Sequence, residues 1–211
     1  NISSYNNLQY HLPSGVLPAG GTFKIGYSPN GNSVANASGN AGGAQTTINR
    51  VTETALTLAP TDALYIGMSY FDRSETGNFG QNQESGSLVT KYTQGPLSVG
   101  VGITRVAQRK ATASTTEYTD GYRNKAASIG YAVNDDLSVS FAREKSAKAV
   151  RTKSVQSVTT ATDTEMEIDT IQAAYTMGGM TISVSNKQVD NDSYTADKKT
   201  KETLLAFAMA F

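Results

Sequence analysis

The chain has no cysteine, no tryptophan, a single histidine and no surplus charge of either sign. Each shortage removes a class. Without cysteine there is neither a disulfide framework nor a thiolate metal site, and the composition fits passage through an oxidising periplasm. Lys and Arg are balanced by Asp and Glu, so the basic excess that nucleic-acid binding demands is missing. No nucleic-acid partner is expected. No run of eighteen apolar residues exists, which excludes a transmembrane helix. A membrane is not excluded, because barrel strands alternate and their hydropathy averages out. The opening NISSYNNLQY lacks the charged start and apolar stretch of a signal peptide. A Ser-His-Asp hydrolase would have to be built on His11; no activated-serine motif lies near it, and no enzymatic activity is expected.

What is plentiful is alternation. In the last stretch, ETLLAFAMAF, Leu205, Phe207, Met209 and Phe211 fall on one face of a strand and Ala206, Ala208 and Ala210 on the other. A soluble strand turns a polar side to water; here one side is bulky and the other merely small. That suits the wall of a membrane barrel, greasy side to lipid and small side to a lumen. The pattern repeats. Leu64, Ile66, Met68 and Tyr70 oppose Tyr65, Gly67 and Ser69; Leu97, Val99, Val101 and Ile103 oppose Ser98, Gly100, Gly102 and Thr104. Leu137, Val139 and Phe141, then Met180, Ile182 and Val184, do the same against Ser, Thr and Ala. A slip of one residue would exchange every face, so the period fixes the register.

Connections alternate too. Short turns rich in Pro, Gly, Asn and Asp at 13–20, 60–62, 94–96, 134–136 and 178–179 separate longer polar stretches at 30–44, 73–83, 107–121, 146–164 and 189–198. Tight turns at one end and long loops at the other are the habit of outer-membrane barrels. The expected fold is therefore all-β, an antiparallel transmembrane β-barrel of about eleven strands forming one domain over 1–211. Tyr10, Tyr92, Tyr131 and Tyr175 each precede a short turn on the bulky parity, with Phe211 at the same level. They are expected to form an aromatic girdle where lipid meets water. Tyr27 and Tyr70 would start the opposite one.

Charges divide by parity. Lys24, Glu53, Lys91, Glu144 and Lys187 fall on the small-residue side, where a water-filled lumen would accept them and lipid would not. Arg105, Lys125 and Arg143 fall on the bulky side. Either they grip lipopolysaccharide phosphates at the outer leaflet, or a β-bulge flips the parity and returns them to the lumen. Asp190, Asn191 and Asp192 resemble part of a calcium loop but lack further ligands at the right spacing. A solvated loop tip is expected there, and neither metal nor cofactor.

Over its whole length the chain resembles the trimeric Gram-negative general porins. The likeness rests on the terminal Phe211 with Phe207 and other apolar residues at alternate positions before it, and on the opening SYNNLQYHLP followed by GGTFKIGYSPN. The resemblance implies passive diffusion of small hydrophilic solutes and ions, a homotrimer, and an assembly signal at Phe207 and Phe211 read by the barrel-assembly machinery. It also implies that eleven strands are the last of sixteen, with an N-terminal porin segment or companion chain supplying the rest. The expected location is the bacterial outer membrane, with lipid and lipopolysaccharide as partners. The rival readings are a smaller substrate-specific outer-membrane barrel, channel or anchor, and a soluble or surface β-rich adhesin with its aromatic rows in a core.

Overall fold

A computed structural model describes residues 7–29, 47–76, 79–108, 110–111, 117–153 and 158–209. The strands in chain order are β1 (Leu8–His11), β2 (Thr22–Ser28), β3 (Thr47–Thr61), β4 (Leu64–Thr76), β5 (Phe79–Gln81), β6 (Gln83–Gln94) and β7 (Leu97–Ala107). They continue with β8 (Lys110–Ala111), β9 (Glu117–Ala132), β10 (Leu137–Lys153), β11 (Val158–Met177), β12 (Met180–Asp190) and β13 (Lys199–Met209). Eleven of them form one antiparallel sheet in simple sequence order, and β5 and β8 pair separately. The sixteen-stranded whole implied by the porin resemblance is corrected here. Hydrogen bonding among the described residues builds an eleven-stranded sheet with β1 and β13 at its edges.

The short connections share one end of the sheet, and each closes with its own chemistry. Asn134 Oδ1 accepts from the backbone N–H groups of Asp136 and Leu137 at 3.0 and 2.8 Å, an Asx turn. Thr61 Oγ1 accepts from Leu64 N at 3.2 Å. Gly95 and Gly178 supply the left-handed residues that the β6–β7 and β11–β12 hairpins require.

At the other end three expected loops prove to be mostly strand, and the one over 30–44 lies outside the described residues. Across 73–83, β4 runs to Thr76, β5 covers Phe79–Gln81 and β6 starts at Gln83. β10 runs on to Lys153 and β11 begins at Val158, where the sequence suggested a loop over 146–164. β9 likewise starts at Glu117. Past the apolar band both faces of a strand meet water, so alternation ceases to mark it. Threonine-rich pairing still favours extension.

Cross-strand partners point to the same side of a sheet, so the register sorts every residue. Leu64, Tyr92, Val99, Ile129, Phe141 and Ile171 are successive partners across six strands. Around them lie Met68, Leu88, Val101, Ile103, Val139, Val184, Leu205 and Phe207. Partners on the opposite face are small or polar: Gly67, Gly100, Gly102, Ala126, Ser128, Ser140 and Ala142. The bulky face is not packed against protein. Val101 is 60% exposed and Phe207 64%, and among the described residues the buried apolar ones are Val51, Ala149 and Val189. No sandwich core forms among the described residues. A soluble protein rarely leaves an apolar patch of more than a few hundred Å² open; hydrocarbon is the natural cover for this one.

Candidate functional site

The small-residue face holds several depressions. One, of about 450 Å³, is lined by Val89, Lys91, Gly100, Gly102, Ser128 and Glu144 among others. A second, about 420 Å³, lies nearer the loop end among Thr104, Asn124, Glu144, Ser146, Met166 and Ile168. A third, about 520 Å³, joins Gln9, His11, Lys24, Glu53 and Ala55. Small residues keep this floor low. A Cβ on Gly100 would stand 2.9 Å from Ser128 Oγ, and one on Gly67 would stand 3.0 Å from Tyr65 Oη.

The register puts Lys24, Glu53, Lys91, Glu144 and Lys187 all on this face. It brings Lys24 and Glu53 into one depression with His11, and Lys91 and Glu144 into another. Lys187 stands apart. Its ammonium is 2.7 Å from a Glu202 carboxylate oxygen on β13, a partner the alternation of bulky and small residues does not reveal.

On the bulky face the aromatic residues Tyr10, Tyr92, Tyr131 and Tyr175 are all exposed near the short turns. Tyr92 partners Val99 on β7, and Tyr131 partners Leu97, two residues nearer the turn. Such a stagger across successive strands keeps a ring level when strands tilt. Tyr27 and Tyr70 share this face. Phe207 points the same way beside Ile182; Phe211 lies outside the described residues.

Arg105, Lys125 and Arg143 also sit on the bulky face. Arg105 partners Arg123, Lys125 partners Ile103, and Arg143 partners Ala127, each a further two residues towards the turns. They step towards the turns by two residues per strand, where the tyrosines step two residues over two strands, and so run obliquely down the sheet. The β-bulge that was to return them to the lumen exists, but between Ala149 and Val150, on the loop side of them.

Sequence reading missed their neighbours. Arg143 grips Asp169 with two hydrogen bonds, Nε to Oδ1 at 2.7 Å and Nη2 to Oδ2 at 2.6 Å, the strong fork geometry of guanidinium with carboxylate. Glu167 adds a contact at 3.4 Å. Lys145 joins Glu167 at 2.6 Å and Glu165 at 3.3 Å, Arg123 pairs with Asp163, and Arg50 with Asp72 at 3.5 Å. An ion-pair band thus borders the apolar belt at its loop side. The signal was present as acids at every second position, Asp163, Glu165, Glu167 and Asp169. Opposite the basic residues of β10, that run specifies an adjacent strand.

The segment after β12 departs from a solvated tip. Asn191, Ser193, Tyr194 and Asp197 all have φ between 53° and 61°, left-handed values that non-glycine residues adopt rarely. Specific bonds hold them: Asn191 Nδ2 donates to the Glu165 carbonyl at 2.8 Å, and Asn191 Oδ1 accepts from Asp197 N at 3.0 Å. The Lys198 ammonium, 3.0 Å from Asp192, and the Thr200 hydroxyl at 2.8 Å hold the Asp192 carboxyl below the usual carboxylate range.

A single all-antiparallel sheet with an exposed bulky face, a polar small-residue face and tight turns gathered at one end defines the wall of an outer-membrane β-barrel protein. No protein-family model matches the sequence, and no curated protein matches it. Solved structures do share the fold. They include the loop L8 deletion mutant of OmpT, an outer membrane protein of Vibrio cholerae, at TM-score 0.63 and 11% identity, covering 95% of this chain and 61% of that one. In-vitro folded OmpT gives TM-score 0.58 at 11% identity with the same coverage. Its trimer form gives 0.54 at 10% identity, covering 95% of this chain and 62% of that one. The chain therefore spans about three fifths of the length of these structures. The outer-membrane location expected from the sequence agrees with this fold, and outer-membrane lipid is the partner of the bulky face.

Other expectations are corrected by the same finding. What shares the fold is OmpT, so the resemblance to the trimeric general porins gives way to that likeness. The passive diffusion channel rested on the resemblance and falls with it. The exclusion of catalysis, drawn from the lone His11, falls as well: a fold shared with OmpT at 10–11% identity carries no such exclusion.

Proposed function

We propose that the chain forms the wall of a substrate-specific outer-membrane β-barrel, with a hydrophilic solute engaged on the small-residue face and lipid on the other. The observation that supports it is the sorting of one sheet into two chemistries. Lys24, Glu53, Lys91, Glu144 and the Lys187–Glu202 pair sit among glycine, serine and alanine on one side, and leucine, valine and isoleucine on the other. Charged and hydroxyl groups lining a water-filled wall select solutes by field and hydrogen bonding. In this reading Tyr10, Tyr92, Tyr131 and Tyr175 anchor the interface, with Phe211 extending the girdle.

The finer partners belong to the same proposal. Arg105, Lys125 and Arg143 meet lipopolysaccharide phosphates from the band beside the apolar belt. Phe207 and Phe211 serve as the assembly signal for the barrel-assembly machinery. A further porin-like segment or companion chain lies against the edges of β1 and β13. A homotrimer is part of the reading, supported by the trimer form in which OmpT was solved.

The test is uptake by vesicles carrying the purified protein, run over a panel of small sugars, organic acids and cations. Saturable, competable uptake of one class is the expected result. Uptake that never saturates, or none beyond empty vesicles, sinks the proposal.

A further inference from the structure

The connection between β12 and β13 does not rise away from the sheet. It bends back across β11 over the small-residue face and lands on β10 and β9. Tyr194 makes the landing. Its hydroxyl lies 2.6 Å from Ser146 Oγ, which itself donates to Asn124 Oδ1 at 2.5 Å. Its ring centre is 5.6 Å from that of Tyr122 and 5.8 Å from the Lys148 ammonium, within the range of aromatic and cation–π attraction. Four left-handed non-glycine residues are needed to bring the ring there. Such a conformation persists only where the surroundings over-determine it. Here they do, through the Asn191 and Asp192 bonds that pin both sides of the turn.

The place of landing matters. Ser146, which bonds the Tyr194 hydroxyl, and Asn124, which accepts from Ser146, also line the depression of about 420 Å³ that contains Thr104, Glu144 and Met166. The hook therefore stands against the loop end of a concavity on the small-residue face.

We propose that Tyr194 is a specificity-determining residue: held by Ser146, Tyr122 and Lys148, it straps the outer end of this depression and limits the size of solute that reaches it. The inference rests on the solute-binding reading of the small-residue face.

The absence of native cysteine gives a clean experiment. Met166→Cys places one thiol in the depression, and methanethiosulfonate reagents of graded size report access to it from outside. Tyr194→Ala is expected to speed modification by bulky reagents about tenfold or more and by the smallest reagent much less. Tyr194→Phe, which keeps the ring and loses the Ser146 bond, should fall between. In the vesicle assay the same Tyr194→Ala change should admit larger members of the transported class. Equal labelling rates in the parent and Tyr194→Ala proteins, at unchanged heat-resistant migration in gels, would overturn the proposal. So would faster labelling with an unaltered solute range. If the parent takes up no solute, the functional reading falls, while the labelling still decides whether Tyr194 bounds the site.

Discussion

Lys125 and Lys145 are register partners on β9 and β10, two ammonium groups on the same side of the wall, and carboxylates answer only one of them. Lys145 has Glu165 and Glu167; among the described residues Lys125 has no acid within 4 Å. Arg105 and Arg123 repeat the arrangement on β7 and β9, where Asp163 pairs with Arg123 and not with Arg105. Like charges placed opposite each other destabilise a sheet, and the lipopolysaccharide proposal gives Lys125 and Arg105 an anion that the described carboxylates do not.

Lipopolysaccharide phosphate is the expected anion, and the three basic residues will not contribute equally. Lys125→Ala and Arg105→Ala are each expected to cut lipopolysaccharide co-purification about fivefold at low salt, the effect of one basic group near an anionic surface. Arg143→Ala should do much less, because Asp169 and Glu167 already neutralise it. Phosphate analysis of the purified variants measures this. A larger loss from Arg143→Ala than from Lys125→Ala would refute the assignment.

The apolar face makes a separate prediction. Val101→Arg, at the middle of the bulky face, should lower folding stability in lipid vesicles by about 2–4 kcal/mol, whereas a basic residue near the interface costs close to nothing. Ser140→Arg, on the opposite face, should cost far less. Equilibrium urea titrations in vesicles compare the two. Equal losses would mean that both faces meet the same solvent.

Gly121 is a packing test. It is buried beside the β-bulge, where the register shifts between Ala149 and Val150, and a Cβ there would run into the carbonyl oxygen of Val106. Gly121→Ala should destabilise by about 1–3 kcal/mol, the usual result of overfilling a tight site. Gly95→Ala offers the contrast, having open space around its Cβ and a strained φ of 54°. It should lose about 0.5–2 kcal/mol through the backbone alone. Thermal unfolding of both variants in detergent checks the order.

The turn after β12 should resist acid. The folded Asp192 carboxyl lies below the free aspartate value of about 3.9, held there by Lys198 and Thr200. Its contribution is therefore complete above that value and is lost only as pH falls through the depressed one. A fluorophore on Thr195→Cys should report the same restricted motion at pH 5 and pH 7, and release only in stronger acid. Asp192→Asn should loosen the turn at neutral pH and abolish the acid-dependent step.

Much of the wall could be read from the chain alone, because a period of two is written plainly wherever one face meets hydrocarbon. The rows through Val99 and Val101, and through Ile182 and Val184, gave both strand and face. Legibility failed where the solvent becomes the same on both sides. β10 and β11 continue past the belt as paired strands, yet their sequence has no apolar face left to alternate, and the region looked like a loop. The acids from Asp163 to Asp169 alternate with a period that only a neighbouring strand makes meaningful. Tyr194 was invisible for a different reason. Its partners Ser146 and Tyr122 lie 48 and 72 residues earlier (194 − 146 and 194 − 122), and nothing local announces that a polar turn will fold inward.

The extension of β10 and β11 has one more consequence. A strand of 20 residues, rising about 3.3 Å per residue and tilted by about 40°, climbs roughly 50 Å, about twice the apolar height of an outer-membrane barrel. The β10–β11 pair therefore continues beyond the apolar belt on the loop side of the Arg143–Asp169 pair.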